Sequence, residues 1–419
     1  MRRAAVLLAV LLVAACASPS PTAVPTASRL STTALVSPSA HPTSTGLPPF
    51  ADPGGTVFDM GRLDATSGWA LVLLGYGTPQ TVTHLMITDD NGATWRDGTP
   101  ADIGVGTAVI DFLDKDHAWV LQPCAAGSGC SSSLWHTSDG ARHWTTATLP
   151  FEAVFGAAMS FVSPEAGYLA LVSDKGPDNR PTVFYSTADG GSSWTRVGVL
   201  PGNWQLFSQD RPLVFLDEND GLLGDVNALQ THDGGKSWTA IDLPRPAGVP
   251  TAAQSQILNV VAAGDSVLAS VQFVSKTAAT YWFGYGYASR DRGQTWTMAW
   301  PGAKDSYPRS AAVVVDDTTW FRFPDYTATI PGDGYSKAFS VTHDGGVTWK
   351  TVTAALPTGT HFDLESFSGA LQGWAIISTD AHCPAGIACS YSGGLPGQLV
   401  ETSDGGRTWQ VAGNTGSGS

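Results

Sequence analysis

Charge is scarce in this 419-residue chain. Asp, Glu, Lys and Arg together make up 14% of it, well under the roughly 25% usual for soluble proteins. Bases are scarcest of all, with 22 Lys and Arg against 36 carboxylates, a net charge of −14. Such a surface repels phosphate backbones and anionic lipid, which argues against nucleic acid as a partner. Glutamate occurs only five times, at Glu152, Glu165, Glu218, Glu365 and Glu401, so the remaining 31 carboxylates are Asp. Long apolar runs are also missing. The one continuous stretch, Ala4 to Ala15, is shorter than the roughly 20 residues a bilayer-spanning helix needs. No P-loop, dinucleotide fingerprint or nucleophile elbow occurs. What is abundant is Gly (47), Pro (27) and Trp (15), the composition of many turns and short strands. With 42% hydrophobic residues the chain can bury a large core.

The first segment is a basic start, Met1-Arg2-Arg3, followed by the apolar run, as in a secretory signal. Its end, Leu12-Val13-Ala14-Ala15-Cys16, resembles a bacterial lipobox. That resemblance implies a signal peptide over 1–15, lipidation of Cys16 and an extracytoplasmic protein anchored to a membrane. More than one acyl chain on Cys16 makes such an anchor stable. Residues 16–54 are rich in Ser, Thr, Pro and Ala and bury too little apolar surface to offset their ordering entropy. They are expected to form a flexible tether, and 413–419 a flexible tail.

Between them one pattern recurs seven times, Thr/Ser-x-Asp-x-Gly-x-Thr/Ser-Trp. Its aspartates are Asp90, Asp139, Asp189, Asp233, Asp291, Asp344 and Asp404, and its tryptophans Trp95, Trp144, Trp194, Trp238, Trp296, Trp349 and Trp409. A period near 50 residues marks a repeat array. Each copy reads as a hairpin turn. The Asp carboxylate accepts backbone N–H groups, the Gly supplies a positive φ, and the Trp opens the next strand as a large buried ring. The second copy has Ala141 in place of the Gly and His143 in place of the Thr, so its hairpin is expected to be altered, not lost. An apolar strand such as Gly68-Trp69-Ala70-Leu71-Val72 or Gly373-Trp374-Ala375-Ile376-Ile377 precedes each motif, and a proline closes most repeats. Four strands per repeat, repeated seven times, predict an all-β fold: a seven-bladed β-propeller of four-stranded antiparallel blades over 55–412. No strand exchange is expected to close the ring.

The motif resembles the Asp box, or BNR repeat, of sialidases, xyloglucan-cleaving glycosidases, sortilin-type receptors and the photosystem II stability/assembly factor family. The seven-repeat layout with its Gly-Trp-Ala strand is most similar to the last. The resemblance implies that the seven Asp and Trp residues serve folding, not catalysis. A sialidase would need an arginine triad, a Tyr nucleophile activated by Glu, and a Phe/Tyr-Arg-Ile-Pro start, whereas the first inner strand reads Val57-Phe58-Asp59-Met60-Gly61-Arg62. A xyloglucan-type cleft lies between two propellers, and one propeller fits here. The arginine-rich patch of the photosystem factors has no counterpart in so acidic a chain. The expectation is therefore a non-catalytic binding or assembly scaffold, monomeric and without cofactor or metal, for a glycan or protein ligand. A glycoside hydrolase acting on extracellular polysaccharide is the alternative, since 31 Asp leave room for an acid/base pair.

Smaller features read as turns. His232 and His343 occupy a variable motif position, and Asp217-Glu218-Asn219-Asp220 lacks the spacing of a calcium loop. Cys124 and Cys130, and Cys383 and Cys389, occupy equivalent points of the second and seventh repeats, and an exported chain favours a disulfide within each pair. In an up-and-down blade the Asp boxes share one face with the turns between first and second strands. The irregular connections lie opposite, where variable loops on a rigid scaffold tend to bind ligands. Trp204, Arg211, Tyr307, Arg309 and Tyr326 are the expected ligand-binding residues there.

Overall fold

The structure, a computed structural model, describes residues 55–74, 82–103, 108–124, 132–149, 154–173, 181–201, 213–224, 228–274, 281–301, 303–304, 312–323, 337–357, 360–379 and 398–412. They form seven consecutive antiparallel sheets with no strand exchanged between them. Blade 1 holds β1 (Gly55–Arg62), β2 (Gly68–Leu74), β3 (Val82–Thr88) and β4 (Arg96–Asp97), and blade 2 holds β5 (Val109–Phe112), β6 (Ala118–Gln122), β7 (Ser133–Thr137) and β8 (Thr145–Thr148). Blade 3 holds β9 (Val154–Phe161), β10 (Gly167–Ser173), β11 (Thr182–Thr187) and β12 (Thr195–Leu200), and blade 4 holds β13 (Leu213–Phe215), β14 (Gly221–Leu223), β15 (Leu229–Thr231) and β16 (Thr239–Ala240). Blade 5 holds β17 (Gln254–Ala263), β18 (Ser266–Val274), β19 (Tyr281–Ser289) and β20 (Thr297–Trp300), with a short fifth strand, β21 (Ala303–Lys304), paired to β19. Blade 6 holds β22 (Ala312–Val314), β23 (Trp320–Arg322), β24 (Ala338–Thr342) and β25 (Lys350–Thr353), and blade 7 holds β26 (Thr360–Phe367), β27 (Gly373–Thr379), β28 (Gln398–Thr402) and β29 (Gln410–Val411). The expected seven-bladed β-propeller is the fold.

The second strands are mostly apolar on both faces because blades cover both of them. In β2, Trp69 and Leu71 pack toward blade 2 with Val120 and Trp135, while Ala70 and Val72 pack toward blade 7 with Trp374 and Ile376. In β10 the same alternation sends Leu169 and Leu171 to blade 2, and Tyr168, Ala170 and Val172 to blade 4. The core is thus a series of clusters between blades. Trp69, Trp119, Trp320 and Trp374 are its largest fully buried side chains.

The Asp box builds each outer hairpin through one repeated set of bonds. In the first copy Thr88 Oγ1 donates to Asp90 Oδ1 (2.9 Å) and accepts from Gly92 N–H (2.9 Å). Asp90 in turn accepts Thr94 N–H (2.8 Å) and the Thr94 hydroxyl (2.6 Å). Every box also places two consecutive residues at φ between 60° and 93°, so the motif's variable position before the Gly is left-handed as well. That position is Gly in five copies, Asn91 in the first and Arg292 in the fifth. The second box keeps the geometry. Ala141 takes φ 63°, its N–H still reaches Thr137 Oγ1 at 3.0 Å, and His143 Nδ1 meets Asp139 Oδ2 at 2.6 Å where the other boxes use a hydroxyl. An alanine there costs roughly 1–2 kcal/mol relative to glycine.

The box tryptophans are less uniformly buried than expected. Trp95 and Trp296 are buried, whereas Trp144, Trp194, Trp238, Trp349 and Trp409 are half-buried. The indole N–H of Trp95, Trp194, Trp296 and Trp409 donates to the carbonyl of its own box glycine, and Trp144 donates across to Gly98 of blade 1 at 2.8 Å. Those of Trp238 and Trp349 have no protein acceptor. Trp296→Ala is therefore expected to cost about 3–5 kcal/mol. Trp95→Phe should lose about 1 kcal/mol with its hydrogen bond, and Trp238→Phe almost nothing; urea unfolding of the three variants checks this order.

Candidate functional site

The two faces of the ring differ in length regularity, bonding and charge. On one face all seven Asp-box turns are seven residues long, from 89–95 to 403–409. The first-to-second-strand turns there are five residues long in six blades and two in blade 5. The two sets are tied together in every blade. The N–H of the first left-handed residue donates to a carbonyl of the neighbouring turn at 2.7–3.0 Å, as from Asn91 to Thr66, Gly190 to Glu165 and Gly405 to Leu371. These turns carry 18 of the 36 carboxylates but only 6 of the 22 Lys and Arg, hence −12 of the net −14.

The carboxylates on this face are committed to the turns. Asp64, Asp114, Asp217 and Asp316 each accept two backbone N–H groups two and three residues on. Asp217, part of the acidic run, also pairs with Arg292, which reaches Asp220 at 3.0 Å as well. His232 bonds Asp220 at 2.8 Å. In the boxes, burial would raise Asp139, but the N–H groups and the His143 ring hold it down to about 2. Hydrogen bonds from Thr348 and Thr342 hold Asp344 at about 2.

On the opposite face the connections run from five residues (149–153, 224–228) to 15 (323–337) and 18 (380–397). Together they hold 11 carboxylates and 7 bases, so these connections are close to neutral by comparison. The five expected ligand residues fall in these connections and lie outside the described residues: Trp204 and Arg211 between β12 and β13, Tyr307 and Arg309 between β21 and β22, and Tyr326 between β23 and β24. The strand order separates them into two groups, one at the boundary of blades 3 and 4 and one at blades 5 and 6. Cys16, Cys130, Cys383 and Cys389 also lie outside the described residues. Cys124 is buried beside Ser132, whose Oγ accepts its N–H at 3.0 Å.

The described side chains at the second group form a platform that sequence patterns did not reveal. Trp300 lies flat on Gly286, where an added Cβ would meet the ring at 2.1 Å, and its indole N–H donates to Gly284 at 2.8 Å. The Arg322 guanidinium of blade 6 sits 5.0 Å from that ring's centre, and Trp349 meets it edge-on at 5.6 Å. Burial pushes the Arg322 pKa down, but it stays charged near neutrality. The arrangement joins a cation of blade 6 to an aromatic face of blade 5. A signal that could have found it is the Gly-Tyr-Gly run at 284–286, where the missing side chain at Gly286 makes room for the ring. Next along the ring, Arg245 donates to Pro250 O (2.9 Å) and Ala253 O (3.0 Å) and lies over Phe273, which fixes the strap between blades 4 and 5.

No protein-family profile and no curated protein matches the chain. Solved structures do resemble it. YCF48 bound to a D1 peptide is 18% identical, with 73% of this chain and 82% of that one covered and a TM-score of 0.42. An ulvan lyase of polysaccharide lyase family PL25, bound to -[GlcA(1-4)Rha3S]-, is 12% identical over 87% and 96% with a TM-score of 0.49. The Hadza microbial sialidase Hz136 is 9% identical over 78% and 63% with a TM-score of 0.39. At such identities the likeness does not extend to site residues.

A pH dependence follows from the pairs on both faces. The hydrogen bond that His84 donates to Asp97 raises His84, and Asp97, despite its burial, is held to about 2 by His84 and Thr99. A raised histidine contributes stability below its unfolded pKa near 6.5 and loses it as pH rises through the folded value; the lowered aspartates contribute above about 3.8 and lose it toward 2. Stability should thus fall below about pH 4, and the gap between wild type and His84→Gln should close as pH rises through the raised folded-state value of His84. Urea midpoints across pH test both limbs.

Proposed function

We propose that this chain is a lipid-anchored, extracytoplasmic propeller that acts as a non-catalytic binding or assembly scaffold, with its ligand surface on the face opposite the Asp boxes. The contrast between the two faces carries the reading. One is a uniform, self-bonded and strongly acidic plate whose polar groups serve its own turns. The other presents connections of unequal length on rigid strand ends, with basic and aromatic residues among them. Rigid support for variable loops is the usual arrangement of a recognition surface. The buried contact of Arg322 with Trp300 would serve as a rigid base for that surface at blades 5 and 6.

The lipobox-like leader supports anchoring through Cys16. Disulfides Cys124–Cys130 and Cys383–Cys389 would each close a short loop of the ligand face, worth about 2 kcal/mol by loop closure. Replacing Cys16 with Ala is expected to release the folded protein from the membrane, and retention after a salt wash would refute the anchor. For the ligand, a glycan and cell-wall binding screen run beside hydrolysis assays is the decisive test. Binding without turnover, weakened at least about tenfold by Tyr307→Ala or Arg309→Ala, is the expected result. Turnover of any polysaccharide would replace the scaffold reading with a glycoside hydrolase.

A further inference from the structure

Six of the seven blade boundaries are crossed by the chain itself, since consecutive blades are joined by a connecting segment. Among the described residues the boundary between blades 7 and 1 is crossed by no connecting segment, and no strand is exchanged there. Its cohesion must come from side chains, and they are concentrated around one residue. Asn91, at the first left-handed position of the first box, has φ 60°. Its side-chain oxygen accepts the indole N–H of Trp374 at 2.9 Å, and its side-chain NH2 donates to Glu401 Oε2. Both partners belong to blade 7. At the boundary of blades 2 and 3, the equivalent tryptophan, Trp119, donates instead to a backbone carbonyl, that of Gly190, at 2.8 Å. Glycine suits the left-handed position better than asparagine, so the side chain has a use that outweighs its conformational cost.

The neighbours of Asn91 complete the closure. Arg62 N–H donates to Ser366 Oγ at 2.8 Å, and its guanidinium reaches Gly373 O at 3.4 Å and lies 5.1 Å from the centre of the Trp374 ring. Trp95 of the same box tilts against Trp374 at 5.9 Å. We infer that Asn91 is the latch that closes the ring, holding Trp374 and Glu401 of blade 7 to blade 1 in place of the covalent link that every other boundary has. The same seam is then the boundary at which the ring opens first.

The substitution Asn91→Gly tests this, because it improves the backbone while removing the latch. The expected result is a lower unfolding midpoint, together with native-state hydrogen exchange of the Arg62 amide faster by roughly tenfold. The amides of Phe161 and Phe215, which bond Asp111 and Ser160 across the boundaries of blades 2–3 and 3–4, should exchange at their wild-type rates. Glu401→Ala, which removes only one partner of the latch, should accelerate the same Arg62 amide in a chain that folds normally. A midpoint that rises in Asn91→Gly, an Arg62 amide unaffected in both variants, or equal acceleration of all three amides would overturn the proposal.

Discussion

The carboxylate of the Asp box and the pair of left-handed residues beside it are the constraint on which the rest of the structure depends. A seven-residue turn is long for a hairpin and would wander without internal bonds. Here two hydroxyls and two backbone N–H groups fix it, as in Thr187, Asp189, Gly191 and Ser193. The first residue of the left-handed pair aims its N–H at the adjoining turn, and the second aims its own back at the box hydroxyl. The hairpin and the inner part of its own blade are thereby locked at a set separation, and only then can the tryptophan that follows fall between blades. Where glycine is replaced, the geometry persists, as Ala141 and Arg292 show.

Because each blade is rigid in this way, the ring is held by contacts between finished units. Those contacts differ at each boundary. Arg96 reaches the carbonyls of Gly140 and Ala141, and Arg290 that of Gly345. Arg292 binds the aspartates of blade 4, and Ala355 makes a parallel bridge to Thr408. Arginine is rare in this chain, and the structure uses several of its copies as links between blades. Such a planar, many-donor side chain suits carbonyls that converge at left-handed turns.

The boxes were legible in the sequence because their bonds are local. The partners lie two to four residues apart, so residue identity and spacing express them directly. The boundaries were not legible because their partners are remote: Arg62 and Ser366 are 304 residues apart, and Asn91 and Trp374 are 283. The half-buried box tryptophans show the same limit, since the depth of each ring depends on the blade beside it. Phe184 and Phe215 flank Trp238, whereas Trp374 and Leu399 cover Trp95. Of the face opposite the Asp boxes, the sequence revealed the contrast in connection length. The platform of Arg322 on Trp300 needed the fold, because it joins a second strand of one blade to a fourth strand of another.

This division explains how a strongly acidic face and a face free to vary coexist on one ring. Carboxylates packed at −12 on one face repel one another and would weaken an ordinary domain. In the boxes, burial would raise the aspartates, but hydroxyl and N–H donors outweigh it and stabilise the charge, lowering Asp90, Asp189 and Asp233. The charge is a by-product of building hairpins from aspartate, and it is confined to the face where the hairpins turn. The opposite face is freed from that chemistry: its strands end without a prescribed turn, so the connecting segments vary in length and residue type while the blades beneath them stay fixed. A propeller with the hairpins on both faces would be more uniform and would leave no surface to diversify.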